Sequence, residues 1–213
     1  KKPKAIITVC LYGMQYKVDE IREISDKYGI PILEDSAEAL GSTYKGQKCG
    51  TFGDISVLSF NGNKIITTSG GGALVLKDEI YKKKAVFLST QAKDDAPHYQ
   101  HSIVGYNYRL SNVCAGIGRG QMEVINDRVA LRSKTNGFRS EDLRYEFQKE
   151  NIESRPLWKP MHMQPLFNKA EYFGTIIAER LFKFGLCLPS GSNMSNKDRE
   201  RISEVIYKVF KAK

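Results

Sequence analysis

The chain is short of residues that carry redox and metal chemistry: three histidines, one tryptophan and four cysteines among 213 residues. Cys10, Cys49, Cys114 and Cys187 are scattered with no CxxC pair, which argues against a structural zinc and for reduced thiols in a cytoplasmic protein. His98 and His101 have HxxH spacing, yet no third ligand lies nearby in sequence, so no metal site is expected. Long apolar runs are missing as well. No stretch approaches the roughly 18 residues of a membrane span, and Lys1-Lys2-Pro3-Lys4 is not followed by a signal-peptide core. Neither GxSxG nor a Walker-type lysine loop occurs, so the hydrolase and NTPase templates find no match. There is no internal repeat and no low-complexity segment.

What the chain does have is an ordinary globular composition, 41% hydrophobic and 27% charged, with a net charge of +9. The basic residues Lys82-Lys83-Lys84 and Arg128, Arg132, Lys134 and Arg139 fall on different segments without interleaved aromatics. That pattern does not read as a nucleic-acid platform. It suits attraction of anionic small molecules such as nucleotides.

The apolar run Ala5–Tyr12 reads as a buried strand. Val18, Ile21, Ile24 and Tyr28 recur at helical spacing, with Gly29 as the stop, and Ile30–Leu33 reads as a second strand. Strand, helix, strand over about thirty residues is a βαβ unit, hence an α/β layer with parallel strands. A polar turn at 44–48 precedes strands at Ile55–Phe60 and Ala73–Leu76. A helix is expected over 78–92, an irregular aromatic-rich loop over 93–110, and one long helix from Asn112 to about Ala130. Helix Glu141–Lys149, strand Ile152–Arg155 and helices near 171–184 and 197–211 follow. The expected division is a larger domain over 1–135 and a small α/β domain over 136–213.

Chemistry concentrates near the first domain's strand ends. Asp35-Ser36-Ala37-Glu38 has the spacing of a capping box at a helix start. It also suits, without excluding the box, an acid at the carboxyl end of a parallel strand, facing the crevice where α/β sheets bind ligands. Lys64 lies between two strands, shortly before Ser69-Gly70-Gly71-Gly72. A lysine so placed can hold an aldehyde cofactor as a Schiff base, and a nearby strand-end acid can keep its ring nitrogen protonated. Ser59 is either a plain strand residue or a phosphate ligand, and the glycines either a turn or a surface for close approach. Arg109, flanked by Tyr106 and Tyr108, and Lys159 with Trp158 and His162 are two cationic clusters suited to a diphosphate. The aromatics could instead pack a domain junction, and His162 could be a packing residue.

The segments Glu34–Ser42, Gly50-Thr51-Phe52-Gly53-Asp54, Ser59–Lys64 and Ser69–Gly72 closely resemble the DegT/StrS family of pyridoxal-phosphate sugar aminotransferases. So do Gly105–Asn112, Arg155–His162 and Gly185–Gly191, in family order and almost end to end. The resemblance implies the aspartate-aminotransferase-like fold (type I pyridoxal-phosphate enzymes). This chain would supply part of the large, mostly parallel-sheet domain and the small C-terminal domain. It implies Lys64 as the Schiff-base lysine and acid/base, and Asp35 as partner of the pyridinium nitrogen. Glu38 would lie near the ring, where relatives carry Gln or His. Ser59 would bind the phosphate, with Asn63 in the cofactor site. Asn107 would reach the phosphate of a partner subunit, hence a homodimer. Tyr108, Arg109, Lys159 and His162 are the expected substrate contacts.

The branch resembled most aminates UDP-4-keto-6-deoxy-N-acetylhexosamines, with glutamate as donor, in surface-glycan or polysaccharide biosynthesis. Relatives that act instead as sugar 3-dehydratases carry His where Lys64 stands, which favours transamination. The chain is expected to lack an amino-terminal part of the large domain and to be shortened near 132–140. A non-catalytic remnant is the reading from a different class.

Overall fold

The computed structural model describes residues 2–132, 141–191 and 194–211. It divides into two compact units, Lys1–Val129 and Ala130–Lys213.

The first unit is built on a four-stranded sheet whose order is β1 (Ile6–Val9), β2 (Ile32–Asp35), β5 (Ile55–Ser59) and β6 (Gly72–Leu76). Strand β1 (Ile6–Val9) leads through helix α1 (Val18–Tyr28) to the parallel strand β2 (Ile32–Asp35). This is the βαβ unit expected from the alternation of periodicities. Gly29 ends α1 in the left-handed region at φ 57°, where a side chain would be strained, and its N–H reaches the Asp26 carbonyl. The apolar stripe of α1 is only partly covered: Val18 is buried, whereas Ile24 and Tyr28 are exposed.

Between β2 and β5 (Ile55–Ser59) the expected polar turn is a small hairpin, β3 (Thr43–Tyr44) and β4 (Gln47–Lys48). Its central residues Lys45 and Gly46 both have positive φ, which matches the right-handed twist of the flanking strands. Strand β5 is parallel to β2 and antiparallel to β6 (Gly72–Leu76), so the sheet is mixed at that edge. Cys10, Val18, Ala39, Cys49 and Phe52 form the buried apolar cluster, with Tyr44 packed edge-on against Phe52.

Helix α2 (Glu79–Ser89) starts where the Asp78 carboxylate accepts the Ile80 N–H at 2.8 Å. The single long helix expected after residue 112 is two. Helix α3 (Asn112–Glu123), capped by the Ser111 hydroxyl, stops at Val124, whose φ of −111° and ψ of 12° leave the helical region; α4 (Ile125–Arg132) follows.

The second unit packs α5 (Glu141–Lys149) against α7 (Asn196–Lys211), burying Leu143, Phe147, Ile152 and Val205. The strand expected at 152–155 is displaced: β7 (Arg155–Pro156) pairs antiparallel with β8 (Leu186–Cys187), and Ile152 instead joins the core. Helix α6 (Ile177–Phe184) is shorter than the expected 171–184 segment. The expected shortening near 132–140 lies largely outside the described residues.

Candidate active site

The carboxyl ends of β2 and β5 carry the residues singled out in the sequence. Asp35 is the last residue of β2 and pairs with Val9 on one side and Val57 on the other. Its carboxylate Oδ1 accepts the Ala37 N–H at 3.1 Å. No helix begins here. Residues 36–41 form turns, and the capping-box expectation fails because Glu38 does not reach back to Asp35. Glu38 Oε2 instead accepts the backbone N–H of Tyr12 at 3.0 Å, and Oε1 lies 3.5 Å from Lys64 Nζ. Both side chains are largely covered, 16% exposed for Lys64 and 23% for Glu38. Tyr12 itself sits at φ 55°, a conformation rare outside glycine, where its N–H meets Glu38.

The loop that bears Lys64 is closed at its base. The Thr68 N–H and Thr67 hydroxyl both donate to the Phe60 carbonyl, and the Phe60 N–H donates to Gly71. Ile66 is buried and pins the middle of the loop. Ser59 ends β5, opposite Gly72, with its hydroxyl accepting the Asn61 N–H at 3.3 Å. Asn63 is exposed. Two of the three connector glycines are required by packing. A Cβ at Gly71 would lie 2.5 Å from Leu110 Cδ1, and one at Gly72 would lie 2.3 Å from the Leu58 carbonyl oxygen. At Gly70 nothing stands within 4 Å, so that position is open to close approach.

Leu110 against Gly71 brings the end of the aromatic loop to the lysine connector. The loop is tied to α2 by Tyr106 N–H to Leu88, Tyr108 N–H to Ser89 and the bridge between Thr90 and Asn107. Tyr106 and Tyr108 stack at 5.0 Å, and Asn107, Tyr108 and Arg109 are exposed. His101 Nδ1 lies 2.9 Å from the Gln91 carbonyl, and its ring stacks on Tyr99.

Lys159 and His162 belong to the second unit. Lys159 is exposed; His162 is stacked on Tyr172 at 3.7 Å with Nε2 3.1 Å from Glu179.

The most elaborate polar site in the first unit belongs to a residue the motif reading passed over. Glu34 is fully buried and accepts from six groups: the Gly50, Phe52 and Gly53 N–H and the Ser36 and Ser56 hydroxyls at 2.7–3.1 Å, and the Cys10 thiol at 3.7 Å. Desolvation opposes its charge, but the Gly50 and Gly53 N–H groups and the two hydroxyls outweigh it and hold the carboxyl below the ordinary range. The Gly50–Asp54 motif is therefore an anion-holding turn. A Cβ at Gly53 would lie 2.8 Å from Glu34 Cβ and from the Ile55 carbonyl oxygen. Arg22 and Lys77 hold the Phe52 carbonyl from the other side, and Asp54 accepts the Ile32 N–H. Sequence offers only a weak signal for this: two adjacent acids at a strand end must face opposite ways.

Two thiols lie close to this carboxylate. Burial, with Glu34 adding to it, raises Cys10; burial, then the neighbouring Cys10 and Glu34, push Cys49 up to about 12. Iodoacetamide at neutral pH should therefore modify Cys114 and Cys187, which are partly exposed, and leave Cys10 and Cys49 untouched until the chain is denatured. Mass spectrometry of the labelled peptides checks this, and early labelling of Cys49 would contradict it.

Asp35 ends β2, and the covered Lys64 lies 3.5 Å from Glu38 on the segments that follow β5 and β2. The DegT/DnrJ/EryC1/StrS aminotransferase family model matches residues 1–144 and 128–207. The chain belongs to this family. EpsN of Bacillus subtilis (strain 168), which bears the name of a pyridoxal phosphate-dependent aminotransferase, is 45% identical across 98% of the chain and 64% of its own length. GDP-perosamine synthase of Escherichia coli O157:H7 is 34% identical across 100% of the chain and 67% of its own length. The crystal structure of a DegT DnrJ EryC1 StrS aminotransferase from Brucella abortus superposes with a TM-score of 0.87 at 24% identity, over 98% of the chain and 65% of that protein.

The expected fold is thus the one observed, and the chain spans about two thirds of the relatives it matches. The alignment with EpsN runs over 247 positions against 213 residues here, so this DegT/StrS chain is shorter than EpsN within the aligned region. The two overlapping family matches meet at 128–144, around the connection expected to be short. Among the described residues, no helix is long and apolar enough to cross a membrane, and no group of three or more His, Cys, Asp and Glu could hold a metal ion.

Proposed function

We propose that the chain is the catalytic part of a pyridoxal-phosphate-dependent sugar aminotransferase whose lysine is Lys64. The observation that carries the reading is the Lys64–Glu38 pair, on the segments that follow β5 and β2, in a member of this family. The donor set suits the cofactor: an amine on a braced loop, a strand-end carboxylate for the ring nitrogen, and the Ser59 hydroxyl for the phosphate. Asn63 lies on the same loop, and Asn107, exposed on its own loop, would reach the phosphate of a second copy in a homodimer.

Bound pyridoxal phosphate supplies the electron sink that lets a C–H bond beside nitrogen break. In this reading Asp35 keeps the ring nitrogen protonated. Lys64 Nζ takes and returns the proton, at a distance from Glu38 that keeps its ammonium form oriented. The substrate is a nucleotide-linked 4-keto-6-deoxy sugar of the UDP-N-acetyl type, with glutamate as donor. The GDP-perosamine synthase relative makes the nucleotide the first property to test.

Incubation with each 4-keto-6-deoxy sugar nucleotide and glutamate should give an amino sugar and 2-oxoglutarate, faster with UDP than with GDP. A deoxygenated ketosugar would identify a 3-dehydratase, and no turnover or cofactor uptake would leave a non-catalytic chain. Arg109, Tyr108, Lys159 and His162 are proposed to bind the sugar nucleotide. Arg109→Ala or Lys159→Ala should raise KM for it about tenfold, the loss of one charge-assisted contact. The visible spectrum of bound cofactor should stay as it is. Loss of cofactor at unchanged KM would show the two sites to be confused.

A further inference from the structure

Strand β2 alternates strictly. Ile32, Glu34 and Ser36 are buried on one face, while Leu33 and Asp35 lie half-buried on the other. Glu34 and Ser36 are joined across Asp35 by a 2.7 Å hydrogen bond, from the Ser36 hydroxyl to Glu34 Oε1. The same oxygen takes the Gly50 N–H, and Oε2 takes Phe52, Gly53 and the Ser56 hydroxyl on β5. One carboxylate therefore ties the end of β2, the Gly50–Gly53 turn and the adjoining strand into a single unit. The residues before and after Asp35 are both fixed in it, and the backbone of Asp35 is held by Cys10 N–H on its carbonyl. Among the described residues, the hydrogen bond to Asp35's own carboxylate is the local one from the Ala37 N–H. Its direction is thus set from behind.

We propose that Glu34 is a positioning residue: through Ser36 and the Gly50–Gly53 turn it fixes the strand end that aims Asp35 at the ligand-facing side of the sheet. Why Asp35 needs aiming rests on the cofactor reading above; the mechanical linkage does not. A carboxylate is suited to this role because its two oxygens accept all six donors, the Cys10 thiol included, at once. A glutamine would turn an NH2 toward at least one backbone N–H. Donors on both oxygens of a fully buried carboxylate suit a structural anchor.

The test uses the whole chain and two variants, Ser36→Ala and Glu34→Asp, followed by amide hydrogen exchange. The Ala37 amide reports Asp35, because it donates to that carboxylate. Both variants should speed its exchange about tenfold or more, together with Gly50, Phe52 and Gly53, while the amides of α1 keep their protection. Faster exchange at Gly50, Phe52 and Gly53 with Ala37 unchanged would overturn the proposal, leaving Glu34 as a clamp for the turn alone. No change at any of these amides in Ser36→Ala would overturn it as well. Should Glu34→Asp fail to fold, Ser36→Ala still decides, since it removes one hydroxyl.

A second arm loads the chain with pyridoxal phosphate and follows its visible band against pH. Ser36→Ala should move the midpoint in the wild-type background and have no further effect with Asp35→Asn, because the coupling runs through Asp35. Equal shifts in both backgrounds would contradict it. Absence of any visible band in the wild-type chain would sink the cofactor reading, while the exchange arm would still judge Glu34.

Discussion

With Lys64→Ala, the chain should take up pyridoxal phosphate only reversibly, and borohydride should no longer fix it to the protein. Wild-type chain treated in the same way should carry the added mass on the peptide containing Lys64. Turnover should fall about a thousandfold or more, since the residue that moves the proton and holds the cofactor is gone. Lys64→Arg separates charge from chemistry: the guanidinium keeps a cation facing Glu38 but cannot form the covalent link. Its thermal stability should therefore match the wild type while its turnover is lost like that of the alanine variant. A reducible link retained in Lys64→Ala would move the site to another lysine.

Glu34→Ala should be the most damaging single change to the first unit. It strands the Gly50, Phe52 and Gly53 N–H groups and two hydroxyls in a dry interior. At a cost on the order of 1–3 kcal/mol for each buried group left unpaired, a loss of at least about 3 kcal/mol is expected even if water repairs some of them. The effect also depends on pH, and its sign follows from the lowered pKa of this carboxyl. A group depressed on folding stabilises the native state fully above its unfolded value, about 4.3 for Glu, and loses that contribution as pH falls through the folded value. The stability gap between wild type and Glu34→Ala should therefore be full at neutral pH and narrow in acid. Urea denaturation at pH 7 and near the acid limit of folding measures it; a gap that widens on acidification would show the pKa to be raised instead.

Several features were legible because they depend on neighbours in sequence. The βαβ start follows from a switch of apolar period at Val18 and from Gly29, whose left-handed conformation is a local requirement. Lys64 and Asp35 stood out because small residues and a strand end surround them. The break at Val124 was not legible: nothing in Asn112–Ala130 forbids a continuous helix, yet Val124 leaves the helical region and divides α3 from α4. The capping-box pattern at Asp35 misled for a similar reason. Its local pairing lost to a better one, in which Glu38 takes the Tyr12 N–H, 26 residues away.

The sequence by itself determined the α/β class, the family and the residue types at the candidate site, because motif order and hydrophobic period are properties of the string. Tertiary structure decided which acid does what. Asp35 and Glu34 are adjacent in the chain and chemically alike, yet the two-residue period of a strand sends them to opposite faces of the sheet. Asp35 lies half-buried on one face; on the other, Glu34 meets a turn whose N–H groups come from residues 50–53. That division needs the register of β2 against β5, and register is fixed only when the distant strands meet.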